Sequence, residues 1–176
     1  MTAGSTRSAR LTGTAVATIA ESSEGDNEYT RTITVAGGSP NATSYTPSGW
    51  SDKIVVSRTT GTNTDSASLT TNDNLYIDWA VINNGASATA STFQTQLFVD
   101  GVQKATWSTS PPLNANYYTY IQDFPIGKLA AGTHTLRIKT DAGGAIIEGN
   151  ERDNEITKTI TLRGTSAPEL TPYLPS

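Results

Sequence analysis

Apolar and polar residues alternate with a period of two along most of residues 53–162, in short runs separated by turn residues. That pattern is expected of strands with one face turned to a core. Residues 53–57 (KIVVS) form a first predicted strand, and Asn72-Asp73-Asn74 then turns the chain into residues 75–82. There Leu75, Ile77, Trp79 and Val81 alternate with Tyr76, Asp78 and Ala80, which points Trp79 inward. Asn83-Asn84-Gly85 ends this run, and residues 93–99 follow with Phe93, Thr95, Leu97 and Val99 on one face. Asp100-Gly101 suits a type I′ hairpin, which needs positive φ at both central residues, and residues 102–107 return. A proline-rich loop leads to residues 117–122, then Gly132 to residues 133–140, an acidic loop over 141–154, and a last strand over 155–162. On that last strand Ile156, Lys158, Ile160 and Leu162 share a face. Seven strands without helical periodicity predict an all-β chain, a seven-stranded immunoglobulin-like antiparallel β-sandwich.

The closing segment occurs twice. Residues 19–35 (IAESSEGDNEYTRTITV) return 127 positions later as residues 146–162 (IIEGNERDNEITKTITL), with ten of the 17 pairs identical. The stretch from Ser39-Pro40 also aligns loosely with that from Ala167-Pro168. A repeat of this length indicates a tandem array. The expected organisation is the tail of one repeat over 1–36, a linker over 37–49, a complete sandwich over 50–162, and the start of a further repeat over 163–176. The first copy of the closing strand lacks the strands that would complete its sandwich, so it is expected to pack in cis or to add to another chain's sheet edge.

Composition agrees with this reading. Among 176 residues Thr supplies 30 and Ser 17, while charged residues make up 16%; Thr suits pleated, half-buried surfaces better than helix interiors. A net charge of −4 and a pI near 4.9 argue against a nucleic-acid partner, whose phosphates need clustered Lys and Arg. No apolar run approaches the ~20 residues of a spanning helix, and residues 1–16 lack the apolar core of a secretory signal. With no cysteine, disulfides, thiolate catalysis and Cys-based zinc sites are unavailable.

Several motifs, in order and spacing, carry a family resemblance: VINNG at 81–85, LFVDG at 97–101, AAGTHTL at 130–136, the IxExNExDN pattern at 146–154, and the apolar strand that closes the unit. Together they resemble the CARDB domain, a seven-stranded, immunoglobulin-like bacterial and archaeal module named for a suspected role in cell adhesion. The resemblance implies a non-enzymatic structural or adhesion module of a secreted or cell-surface tandem-repeat protein, located extracellularly. Neighbouring repeats would be its partners, and the family alone names no ligand.

The chemistry-bearing residues are few. His134, the one histidine, sits mid-strand and is expected to be structural, since triad chemistry needs an imidazole beside a nucleophile in a cleft. The acidic loop is richer. Asp141, Glu148, Glu151, Asp153 and Asn154 offer oxygen ligands for a weak calcium site, although their spacing does not fit an EF-hand loop. The same residues also suit a tight turn whose side chains accept backbone N–H bonds. This loop should lie at the pole where the first strand enters. Trp50, Trp107, Tyr117, Tyr118 and Tyr120 are candidates for stacking on a surface glycan, Tyr118 and Tyr120 on one face of their strand and Tyr117 on the other, which would make the chain a carbohydrate-binding accessory module. A third reading is a filament subunit that self-associates through its N-terminal segment. Lys53 with Asn154 also raises an internal isopeptide bond, which requires a buried lysine.

Overall fold

A computed structural model describes residues 6–8, 32–34 and 37–165. No helix occurs among them, and they fall into two units, divided after Gly38.

In the first unit β1 (Thr6–Ser8) pairs antiparallel with β2 (Thr32–Thr34), with Thr6 opposite Thr34, Arg7 opposite Ile33 and Ser8 opposite Thr32. The remainder of 1–36, on which expectations of strand exchange chiefly fall, lies outside the described residues.

The second unit is a sandwich of nine strands. They are β3 (Ala42–Tyr45), β4 (Ile54–Ser57), β5 (Leu69–Thr70), β6 (Leu75–Asn83), β7 (Phe93–Val99), β8 (Val102–Thr109), β9 (Tyr118–Gly127), β10 (Gly132–Lys139) and β11 (Glu155–Arg163). Seven of these coincide with the runs expected from the alternation, while β3 and β5 are additional. β3 falls inside the stretch expected to be a linker. It pairs with the end of β6, Ala42 opposite Asn83 and Tyr45 opposite Ala80, while β4 continues along the same edge of β6 from Trp79 to Tyr76. One strand track is thus interrupted by an excursion over 46–53. Such a break hides the strand from a periodicity reading, because β3 spans only four residues and its sequence (ATSY) is mostly polar.

One sheet has the order β5-β11-β10-β7-β8; in the other, β6 is flanked by β3 and β4 on one edge and by β9 on the opposite edge. All pairs are antiparallel except the two-residue parallel pair β5/β11. Strand β9 runs to Gly127, past the expected end at 122, because a bulge between Ile77 and Trp79 of β6 lets the ladder continue through Phe124. Leu75, Ile77, Trp79 and Val81 of β6 meet Phe93, Leu97 and Val99 of β7, Leu136 and Ile138 of β10, and Ile160 and Leu162 of β11 in one core. Fully burying each such side chain is worth about 1.5–3 kcal/mol. Trp79, Trp107 and Phe124 interlock edge to face, with centroids 5.1 and 4.9 Å apart, an arrangement favoured by the aromatic quadrupole.

Lys158 occupies the apolar face of β11. Its Nζ lies 2.9 Å from Asp52 Oδ2, 2.8 and 2.7 Å from the two Asp65 oxygens, and 2.6 Å from Ile54 O. A cation on that face thereby ties β11 to the opposite sheet. Partial burial works against ionisation of Asp52. The hydrogen bonds from Lys158 and the Lys53 N–H, with both lysine charges, nonetheless hold its carboxyl below the usual range. Lys53, by contrast, is exposed, so it does not meet the burial an isopeptide bond requires.

Two devices fix the pole where β3 begins. Asn83, with no exposed surface, accepts from the Asn41 and Gly85 N–H groups and donates to Ser87 O and Leu113 O. Gly85 faces the backbone of residues 39–41, where an added Cβ would fall 2.4–2.5 Å from Ser39 O, Asn41 N and Pro40 C. Backbone on one side and a strand end on the other leave nothing to yield. Gly85→Ala should therefore cost about 3 kcal/mol, the upper end of ordinary overpacking, read as a lowered urea midpoint at constant m-value; an unchanged midpoint would refute this packing.

Candidate functional site

The acidic loop over 141–154 lies against residues 39–43, at the pole where β3 enters. Each carboxylate has a defined structural task. Asp141, buried with φ of 41°, accepts the Ala145 N–H at Oδ1 (2.9 Å) and the Ile146 N–H at Oδ2 (3.0 Å). Glu148, also buried, accepts the Ala42 N–H at Oε1 and the Asn154 side-chain amide at Oε2 (2.6 Å). Glu151 is exposed and accepts the Glu148 N–H (2.9 Å). Asp153 accepts the Asn41 amide at Oδ2 (3.1 Å), while its backbone carbonyl accepts the Thr43 hydroxyl (2.9 Å). The Asn150 and Gly149 N–H groups reach Asn41 Oδ1 (3.0 Å) and Pro40 O (2.9 Å).

These contacts close the sandwich across its two sheets. The loop belongs to the connection between β10 and β11, whereas Asn41 to Thr43 belong to the other sheet. Burial pushes the Glu148 carboxyl up, and the neighbouring Asp141 and Glu151 charges push the same way, against the lowering effect of its hydrogen bonds. Among the described residues no three His, Cys, Asp or Glu side chains are grouped to hold a metal ion. Asp153 Oδ1 and Asn154 Oδ1 are buried oxygens without a protein partner.

His134 links two turns. Its Nδ1 lies 2.7 Å from Asp100 Oδ2 and its Nε2 lies 3.0 Å from Ala130 O. Asp100 and Gly101 have φ of 51° and 78°, the paired positive values of a type I′ turn. Acceptors on both ring nitrogens suit the imidazolium, so the Asp100 bond, followed by that to Ala130 O, raises the His134 pKa above 6.5. Such a ring is a double donor rather than a general base poised on a nucleophile.

The aromatic candidates separate. Trp107 turns inward onto Trp79 and Phe124. Tyr118 and Tyr120 stand on the outer face of β9, 45% and 51% exposed, with ring centroids 6.1 Å apart. One aromatic not proposed from sequence joins them, Tyr45, which lies 5.1 Å from Tyr118; the candidate Trp50 lies 6.4 Å from Tyr120, edge on. The signal for Tyr45 was its register opposite Ala80, which became readable only once β3 was seen as a strand. Together with Pro47, Ser48 and Gln122, three of the rings border a shallow depression of about 170 Å³.

Against known proteins, the family model described as CARDB matches residues 53–158. Two solved structures share the fold. One is the CARDB domain of a Pyrococcus furiosus protein, described as a complex with di-metal ions (TM-score 0.53, 16% identity, covering 70% of this chain and 94% of that one). The other is a domain of a Methanosarcina acetivorans protein, whose description assigns it provisionally to the cell surface (TM-score 0.50, 18% identity, covering 70% and 92%). No curated protein matches the chain.

The site's roles give two expectations. A raised His134 pKa contributes stability that is fully present below about pH 6.5 and is lost as pH rises through the folded-state value. The thermal midpoint should thus fall across that window in the wild type and stay flat in His134→Gln, and NMR titration of the one imidazole should report a value above 6.5. Glu148→Gln replaces one of two required acceptors with a donor, leaving the Ala42 N–H or the Asn154 amide unsatisfied. It should lose about 1–3 kcal/mol in chemical denaturation, whereas exposed Glu151→Gln should lose less.

Proposed function

The chain belongs to the CARDB family, and from that membership we propose that it is a non-catalytic structural and adhesion module of an extracellular or cell-surface tandem-repeat protein. The observation that carries this reading is where the chain enters and leaves the sandwich. Residues 39–41 enter at the pole closed by the acidic loop, through the Pro40 and Asn41 contacts. β11 starts at that same pole and ends beside Thr70 and Thr71 at the other. Nine residues of β11 at ~3.3 Å each separate the two by roughly 30 Å. A unit threaded from pole to pole extends an array, where one with both ends at a single pole would fold it back.

Tandem repetition is supported from a second direction. The β1/β2 pairs Thr6–Thr34, Arg7–Ile33 and Ser8–Thr32 become, on adding 127, Thr133–Thr161, His134–Ile160 and Thr135–Thr159, which are three consecutive pairs of β10/β11. The repeat unit we propose begins at β3 rather than at Trp50, because β3 completes the second sheet. Its partners are the neighbouring units of the same protein.

On this reading the acidic loop supports the spacer role by clamping the entering segment. Of its calcium candidates, Asp141, Glu148, Glu151 and Asp153 act as hydrogen-bond acceptors and the Asn154 amide as a donor, and both oxygens of Asp141 and of Glu148 already receive protein donors. Calcium at the free oxygens of Asp153 and Asn154 is the competing use of the loop. Stretching the chain by its ends in single-molecule force spectroscopy tests both. A spacer should resist and then release the sandwich in one step, with the same force in a chelator as in millimolar calcium. Gradual extension without a force peak would reject the spacer role, and a calcium-dependent rise would reassign the loop.

A further inference from the structure

The outer face of the β3/β6/β9 sheet carries a strip of aromatic rings that the fold does not consume. On β6, Leu75, Ile77, Trp79 and Val81 supply the core side, so Ala80 and Ile82 face outward. Tyr45 and Tyr120 are the partners of Ala80 in β3 and β9, and Tyr118 is the partner of Ile82. Directly paired residues share a face, which places all three tyrosines on the outside. The small Ala80 leaves Tyr45 and Tyr118 room to approach diagonally to 5.1 Å. Trp50, carried by the excursion between β3 and β4, stands edge-on at 77° to Tyr120 and forms a wall at that end. Tyr118 and Tyr120 remain about half exposed, although two adjacent tyrosines of this size cost less when covered.

We infer that this strip is a binding site for an uncharged polysaccharide, seated on Tyr118 and Tyr120 against Trp50 and running on towards Tyr45. Three features select that chemistry. A pyranose presents a face of C–H groups, polarised positive, to the electron-rich face of an aromatic ring, and so stacks on it. The depression is bordered by Pro47, Ser48, Trp50, Tyr118, Tyr120 and Gln122, none of them charged, in a chain of net charge −4. An electroneutral lining offers no compensation for desolvating an acidic sugar. The rim carries hydroxyls and an amide, and none of the three tyrosine hydroxyls has a protein hydrogen-bond partner among the described residues, so they are available to sugar hydroxyls. A depression of about 170 Å³ falls below the ~300 Å³ of an ordinary small-molecule pocket. It suits a single sugar ring of a longer chain whose further rings use the rest of the strip. Successive rings are tilted by 45° and 42°, so the strip turns with the sheet and lacks the parallel walls that grip a polyproline helix.

The test is binding of the full chain to a panel of soluble neutral polymers (mixed-linkage and β-1,3-glucans, galactomannan), with polygalacturonate and a proline-rich peptide as comparisons. The readouts are affinity electrophoresis and NMR shift mapping on the wild type. At least one neutral polymer should retard the protein and shift Tyr45, Trp50, Tyr118 and Tyr120 together. Trp50→Ala and Tyr120→Ala should each weaken that binding at least tenfold with the thermal midpoint retained, and Tyr117→Ala, exposed but outside the ring series, should not. Failure of every neutral polymer, shifts centred elsewhere, binding that survives Tyr118→Ala combined with Tyr120→Ala, or binding of the peptide alone would overturn the assignment. Because none of these variants touches the polar clamp, such a failure leaves the spacer reading standing.

Discussion

The fold rests on satisfying one short stretch of backbone. Residues 39–43 cross from the chain's entry into a sheet edge beneath a loop of the opposite sheet, with Asn41 and Ala42 buried there. Buried backbone groups must find partners or cost several times what a hydrogen bond returns. Here the partners come from three directions. Asn83 receives the Asn41 N–H from the end of β6, Glu148 receives the Ala42 N–H from the acidic loop, and the Gly149 N–H reaches back to Pro40 O. Gly85 makes the approach feasible, since any larger residue would strike that backbone. β3, the pole and the relation of the two sheets there follow from this set of bonds.

Lys158 does comparable work nearer the middle of the sandwich, at a different energetic balance. Bringing an ammonium onto an apolar face carries a desolvation cost that only close, multiple partners offset. Asp65 provides both oxygens and in turn accepts the Val56 N–H and the Ser51 hydroxyl. The ion cluster therefore holds the loop after β4 and positions β4 against β11. Its value lies in specifying which strand edge faces which. An apolar residue at 158 would fill the space without that information.

Apolar patterning made seven of the strands legible, because a half-buried strand writes its period into the sequence whatever the topology. β3 and β5 escaped for a physical reason: β3 is mostly polar and β5 has two residues, so neither shows apolar alternation, and long-range pairing with β6 and β11 holds them in place. Asp100-Gly101 was readable because positive φ is a local demand. Asn83 read as a turn residue because its role as a buried four-bond junction depends on Asn41, Ser87 and Leu113, which lie elsewhere in the fold. Lys158 was the one clue in plain view: a lysine in register with Ile156, Ile160 and Leu162 must have counter-charges, and only their identity needed the structure. The acidic loop's position at the entry pole was legible from topology, whereas the donors its carboxylates would meet were not. Trp107 was grouped with Tyr118 and Tyr120 by residue type, whereas it stands on β8 of the opposite sheet and turns into the core, away from the outer face of β9.

These elements divide the sandwich into two kinds of surface. The poles are committed: one is closed by the clamp on residues 39–43, the other by β5 against the end of β11, and the chain passes through both. Tension along an array would act on those polar contacts and on the β10/β11 ladder. The outer sheet face lies off that path, and there Tyr118 and Tyr120 stay exposed beside a depression. Continuity thus requires contacts between distant segments at the poles, while the face needs only that Ala80 stay small and that the excursion over 46–53 keep Trp50 beside Tyr120. Such a face can change its rings without loosening the chain's path, which is the property a repeated module needs if successive copies are to hold together while recognising different things.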